Sequence, residues 1–201
     1  MRYARAVEKL RLLAAGCERM KAWPPDFDPW LVEMYAFGAV LEGVDPLENV
    51  QVVGVIRVPP EEAPWGGVPH GTEWAADMLR LSKGGYEYWW RSYLDPVCNH
   101  YIKGPVRIWS QHGIDEDALD ALAERRFGDL VRVTPDPVDQ RLQVRDDLDT
   151  ALAHLRQVHG SYWDRDWRRG HRGMGRYPEN ELWEAVEGYL DILDASRKEQ
   201  Q

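Results

Sequence analysis

Two short segments carry residue types at spacings that could do chemistry. In the first, Asn49-Val50-Gln51 opens a run rich in Val, and side chains at i and i+2 of a strand share one face. Two carboxylates at that spacing, together with substrate phosphates, would hold Mg²⁺ and stabilise the attacking and leaving oxygens of a phosphoryl transfer. The amides of Asn49 and Gln51 keep the geometry and can hydrogen-bond a ligand, but they bring no charge to retain a metal. Metal-dependent transfer is therefore not expected here. The nearby acids Glu42, Asp45 and Glu48 do not form an i, i+2 pair, so no cofactor is expected, and Mg²⁺ only if a relocated carboxylate site exists.

The second segment, Ser161 to Tyr177, interleaves arginines with Trp163 and Trp167. Guanidinium groups and aromatic planes together can hold a base and a phosphate, which makes Arg165, Arg168, Arg169 and His171 the phosphate-contact candidates. A loop whose arginines pair with acidic helices and whose tryptophans cover the core explains the same residues more simply, and is the preferred reading. Gly66-Gly67-Val68-Pro69-His70-Gly71 leads into a helix start, where free N–H groups can meet an anion, but no lysine stands at a phosphate-loop spacing. Cys98-Asn99-His100 and the pair His154 and His159 are read as structural, since residues five apart diverge around a helix. The ten tryptophans are assigned first to the core and second to an interface, with Trp89-Trp90 and Trp163…Trp167 as the interface candidates.

The elements that must position these residues follow from periodicity. Tyr3, Val7, Leu10, Ala14, Cys17 and Met20 mark one face of a helix over residues 3–20, and Trp23-Pro24-Pro25-Asp26 stops it. Strands are predicted at Leu31–Leu41 and Val50–Val58, then a loop from Pro59 to Gly71. Thr72 is the predicted cap of a helix running to about Lys83, and Gly84-Gly85 ends it. After the aromatic segment Tyr86 to Tyr93 comes a strand at Val106–Ser110, with Arg107 and Trp109 on one face and Val106, Ile108 and Ser110 on the other. A helix follows with Asp115, Glu116 and Asp117 in its first turn, Arg125 and Arg126 in its last and Gly128 beyond. Leu130 to Thr134 is predicted as a short strand.

Pro135-Asp136-Pro137 marks a boundary, giving an α/β core at 1–135 and a helical region at 136–201. In the latter, Leu148, Ala151, Leu152, Leu155 and Val158 form one apolar stripe and Leu182, Ala185, Val186, Tyr189 and Leu193 another. Pro178 suits the first position of the last helix. The fold class expected is α/β, a small mixed sheet flanked by helices with a C-terminal helical extension.

The order of these elements resembles the nucleotidyltransferase fold of polymerase-beta-like and minimal nucleotidyltransferases. There a helix leads into a strand ending in Phe-Gly-Ser, a turn carries a further glycine, and the next strand begins with Asp-x-Asp. Phe37-Gly38-Ala39, Glu42-Gly43 and Asn49-Val50-Gln51 stand at those places. The resemblance covers about residues 3–58 and implies a nucleotide-shaped cleft formed by Phe37, Gly38, Ala39, Asn49 and Gln51, with its metal-binding acids replaced and its phosphate-contacting serine exchanged for Ala39. The function expected is therefore that of a non-catalytic or regulatory module that binds a nucleotide or a protein partner. The alternative is an enzyme: a nucleotidyltransferase with relocated carboxylates, or a ribonuclease, because Arg165, Asp166 and His171 resemble the Arg-polar…His motif of HEPN ribonucleases. A purely structural role, such as the antitoxin-like half of a pair, is the third reading. The whole chain also resembles an uncharacterised bacterial family.

Bulk properties bound these readings. The 201 residues, 44% hydrophobic and 29% charged, suffice for a real core. No apolar run is long enough to span a bilayer, and Glu8, Lys9 and Arg11 interrupt the segment before Cys17 that otherwise looks like a lipoprotein cleavage site. Two cysteines fit a reducing compartment, so a cytoplasmic protein is expected. The net charge of −9 argues against nucleic acid or an anionic membrane as the general partner. Charge is segregated all the same. Residues 1–21 hold six basic and two acidic side chains, and residues 115–150 hold eleven acids against five arginines, so an internal match between such regions is expected.

Overall fold

A computed structural model describes residues 1–22, 31–173 and 176–198. The predicted helix stop at Trp23–Asp26 lies outside the described residues. Helix α1 (Tyr3–Met20) is followed by β1 (Leu31–Phe37) and β2 (Val50–Ile56), then α2 (Thr72–Met78), β3 (Tyr86–Ser92), β4 (Val106–Ser110) and β5 (Gly113–Ile114). Four further helices follow among the described residues: α3 (Glu116–Ala123), α4 (Pro137–Ser161), α5 (Arg165–Gly170) and α6 (Pro178–Lys198). The strands form one mixed sheet in the order β3-β2-β1-β4-β5, with only β2 and β3 parallel. The α/β class expected from the pattern is the observed one.

Alternation along the strands gives the sheet two apolar faces. Met34, Ala36, Val50, Val52, Ile56 and Trp90 pack under α1 and α3. Tyr35, Phe37, Val53 and Val55 form the second core with Val144 and Ala151 of α4 and Ile192 of α6. The C-terminal helices thus cover the second face of the sheet. One buried ion pair fastens them: Arg91 of β3, 1% exposed, donates to Asp147 of α4, 6% exposed, at 3.0 Å. Gln143 Nε2 also donates to that carboxylate, at 2.9 Å.

Several boundaries differ from expectation. β1 stops at Phe37 because Gly38 turns to φ +70, and residues Gly38–Glu42 make a 3₁₀ turn. β2 ends at Ile56 rather than Val58. Thr72 is the first residue of α2 and not its cap, since its hydroxyl donates back to Pro69 O at 2.6 Å and Gly71, at φ +82, takes the preceding position. α2 stops at Met78, where the chain turns through Arg80 at φ +57. Tyr86–Ser92, not assigned as a strand, is the edge strand β3. The segment Leu130–Thr134 is not a strand; Arg132 makes an isolated bridge to Val106. Beyond α3 the left-handed residue is Arg125, φ +58, instead of Gly128. Register also shifts between Met34 and Tyr35 opposite β4. Trp109 accordingly joins Val106 and Ile108 in the first core, and its indole donates to Glu18 of α1 at 2.7 Å.

The expected charge matching is partly present. Arg11 of α1 reaches Asp120 at 2.5 Å and Glu116 at 3.4 Å, joining the basic first helix to the acidic third. Among the described residues no helix is long and apolar enough to cross a membrane.

Candidate functional site

Two regions contain the sequence-predicted residues. The first lies where β1, β2 and β3 run side by side. Antiparallel register sets Phe37 opposite Gln51, and parallel register sets Glu87 beside Gln51. The Gln51 amide nitrogen donates to Glu87 Oε2 at 3.1 Å and to the Tyr101 hydroxyl at 2.9 Å. Its carbonyl end lies over Gly38, where a Cβ would stand 1.8 Å from Oε1. Left-handed backbone and the lack of a side chain are thus both required at Gly38. Phe37 is buried against Trp89 and Tyr101, with ring centroids 5.4 and 6.0 Å away. Burial, and then the Glu87 charge, push the Tyr101 phenol above its ordinary pKa.

Phe37, Gly38 and Gln51 are therefore brought together, but Ala39 packs toward the first core and Asn49 is exposed ahead of β2. Glu42 is held by Arg132 at 3.0 Å, and Asp45 lies 3.6 Å from Arg125. Among the described residues no cluster of three or more His, Cys, Asp or Glu is placed to hold a metal. An aromatic wall continues the row. Trp65 is parallel to Trp89 with centroids 5.8 Å apart, and its indole donates to Asp191 of α6 at 2.7 Å. His100 Nε2 meets the same carboxylate at 3.0 Å.

The second region is a cleft of about 700 Å³ beyond the β3 edge, between the Glu61–Trp74 segment and the α4, α5 and α6 side of the molecule. Pro64, Val68, Pro69 and Trp74 give it apolar walls, and His70, His154 and His171 face it together with Arg172. The loop is held close to α6 by two glycines. A Cβ at Gly188 would stand 2.0 Å from Trp65 O, and one at Gly66 would stand 2.9 Å from Gly188 Cα. Arg176 closes one end, bonded to Glu181 at 2.8 Å and Glu184 at 2.6 Å with Glu73 at 4.0 Å. Burial raises the Glu184 pKa against the pull of Arg176, and burial lowers that of His154.

The arginine candidates divide. Arg168 is tied to Glu179 at 2.8 Å and lies over the Tyr162 ring, 4.9 Å from its centroid. Arg165 and Arg169 are exposed on α5. His171 stacks on Trp167 at 4.0 Å, and its Nδ1 lies 2.8 Å from Trp167 O. A carbonyl only accepts, so Nδ1–H is the donor in this contact. The glycine-rich loop and the arginine-rich segment, noted separately in the sequence, therefore meet in one cleft. Trp74, Glu61, Glu62 and Glu181 were not anticipated there. Gly66 and Gly188, as points of close backbone approach, were the available signal, although no pattern in the sequence pairs them.

Sheet order, the helix pair on the second face and the loop cleft define a mixed α/β protein with a lateral ligand-sized opening. The chain belongs to the family described as a domain of unknown function (DUF7711), whose model matches residues 1–198. No curated protein matches the chain, and no solved structure does. Nothing in these comparisons ties it to the nucleotidyltransferases.

Proposed function

We propose that this protein is a non-catalytic, regulatory binding protein, and that its ligand is a nucleoside or nucleoside monophosphate seated in the cleft between the Glu61–Trp74 segment and Arg172. The observation that carries the reading is the cleft's composition: Trp74 and two prolines for a base, the Glu61 and Glu62 carboxylates for ribose hydroxyls, and the exposed Arg172 for one phosphate. Its volume falls within the roughly 300–1,000 Å³ usual for small-ligand sites. Among the described residues four glutamates against two arginines line it, a balance that disfavours the several charges of a triphosphate. In the resemblance to a nucleotidyltransferase core with its acids replaced, the row at Gln51 is frame, not site.

The test is a thermal-shift titration with nucleosides, nucleoside monophosphates and triphosphates, with and without Mg²⁺. A ligand that binds only the folded state raises its stability, by about 2.7 kcal/mol at a hundred times Kd. Stabilisation by a nucleoside or monophosphate, independent of Mg²⁺ and lost in Glu62→Gln/Arg172→Ala, is expected. No shift with any of these ligands would overturn the reading. A second reading rests on Glu87 standing beside Gln51: a nucleotidyltransferase with a relocated carboxylate. Mg²⁺-dependent transfer abolished by Glu87→Gln would establish that one instead.

A further inference from the structure

We propose that the groove between α1 and the chain linking α2 to β3 docks an acidic amphipathic helix of a partner protein. This surface is independent of the ligand cleft. The groove encloses about 730 Å³. Lys9, Arg19, Arg80 and Lys83 line it, and among the described residues its one lining acid, Asp77, is occupied by Lys83 at 2.6 Å. Among the described residues neither Arg19 nor Arg80 has an acidic partner, and both are exposed. In a chain of net charge −9 this is a positively charged depression, complementary to an acidic segment.

Its floor is apolar. Leu13 and Leu79 belong to the first core, while Leu12 and Met78 stand 63% and 43% exposed between the cations. Lys9, Leu12, Gly16 and Arg19 follow one another along α1 at helical spacing, so cations stand about 15 Å apart on either side of an exposed leucine. That length matches about three turns of a partner helix, which would set an i, i+3/i+4 apolar stripe on Leu12 and Met78 and place its acids on Arg19 and Arg80, since Lys9 is bonded to Gly84 O and Lys83 to Asp77. Arg80 is held in left-handed backbone, φ +57, by Arg80 N donating to Asp77 O at 3.0 Å. Such strain in a non-glycine residue is retained where surroundings enforce it, commonly at binding sites. An isolated phosphate would leave Leu12 and Met78 uncovered.

The experiment is selection from a displayed library of 18-residue helical peptides against the full chain, with the Arg19→Glu/Arg80→Glu double variant as counter-target. Affinities of the enriched peptides are then read by fluorescence anisotropy. Both positions are exposed, and a thermal melt confirms that the variant folds. Expected are net-acidic peptides with an apolar stripe whose affinity falls at least tenfold in the double variant, falls likewise in Leu12→Glu, and weakens with added salt. No enrichment, enrichment of basic or non-helical peptides, or affinities unchanged in the variants would overturn the proposal. It would also be overturned by charge-dependent binding to phosphatidylserine vesicles in place of peptides, or by self-association lost in Leu12→Glu.

Discussion

The row at Gln51 and the cleft at Trp74 are both polar regions beside the same edge strand, yet they are built in opposite ways. At the centre of the row the polar contacts are internal: the Gln51 amide spends its donors on Glu87 and Tyr101, and its carbonyl fills the space over Gly38. In the cleft, Arg172, Glu61 and Glu62 are exposed at the walls of an opening of about 700 Å³. A buried polar group without a partner costs about 1–3 kcal/mol, so satisfied groups mark frame. Polar groups left facing an opening can exchange water for a ligand. The contrast teaches that a residue pattern shaped like a site can be scaffold, while the open chemistry is assembled from loops far apart in sequence.

The largest expected effect tests whether the cleft depends on close packing of its loop on α6. A Cβ at residue 188 meets backbone, Trp65 O at 2.0 Å, which cannot swing aside. Gly188→Ala is expected to cost about 3 kcal/mol, at the upper end of overpacking, in urea denaturation, and to abolish ligand stabilisation. A loss below about 1 kcal/mol would mean that the loop can part from α6 freely. Gly38→Ala comes next, at about 2 kcal/mol. Its Cβ meets only the end of a flexible side chain, but the left-handed backbone penalises any Cβ. Gly38→Ala/Gln51→Ala should lose less than the sum of the single variants, because the clash is removed and the backbone strain stays. Strict additivity would show that Gln51 does not lie over Gly38.

What the sequence revealed follows the same division. Helix α1 was legible to the residue because its apolar face repeats without interruption, and the core of β2 was legible because its Val-rich run suits a sheet covered on both faces. β3 was missed for a physical reason. Tyr86, Tyr88 and Trp90 alternate with Glu87, Trp89 and Arg91, and aromatic residues on both faces hide the period of two. The acid beside Gln51 was hidden with it. Trp109 was assigned to the wrong face because a register shift cannot be read from alternation. The cleft was legible in two fragments, the Gly66–Gly71 loop and the arginine-rich segment. Their meeting depends on how α6 packs, which is a property of tertiary contacts alone.

A smaller effect concerns the cleft's titration. Burial holds the folded-state pKa of His154 below its ordinary value of 6.5, so the unfolded chain binds the proton more readily. The stability this contributes is fully present above the unfolded-state pKa and is lost as pH falls from about 6.5 toward the folded-state value. Groups facing this histidine include Glu181, whose charge opposes the shift, with His70, His171, Arg172 and Arg176 also around the cleft. The difference in stability between the wild type and His154→Gln, in which the contributions of the other groups cancel, should shrink toward acid over that range. A difference that is flat with pH would place His154 in water.

The smallest effect on stability separates the two regions most sharply. Arg172 is exposed and touches no acid among the described residues, so Arg172→Ala should change stability by no more than about 0.5 kcal/mol, a shift in Tm of only about 1–2 °C for a chain of this size. If the arginine faces the phosphate of a bound monophosphate, the same variant removes the monophosphate's advantage over the nucleoside, which thermal-shift titration of the pair reads directly. Gln51→Ala is the mirror case. It breaks two hydrogen bonds and should cost about 1–2 kcal/mol, while leaving the affinity for either ligand unchanged. Were Gln51→Ala to weaken the ligand and Arg172→Ala to leave it untouched, the assignments of frame and site would exchange places, and the polar row beneath Tyr101 would be where this protein binds.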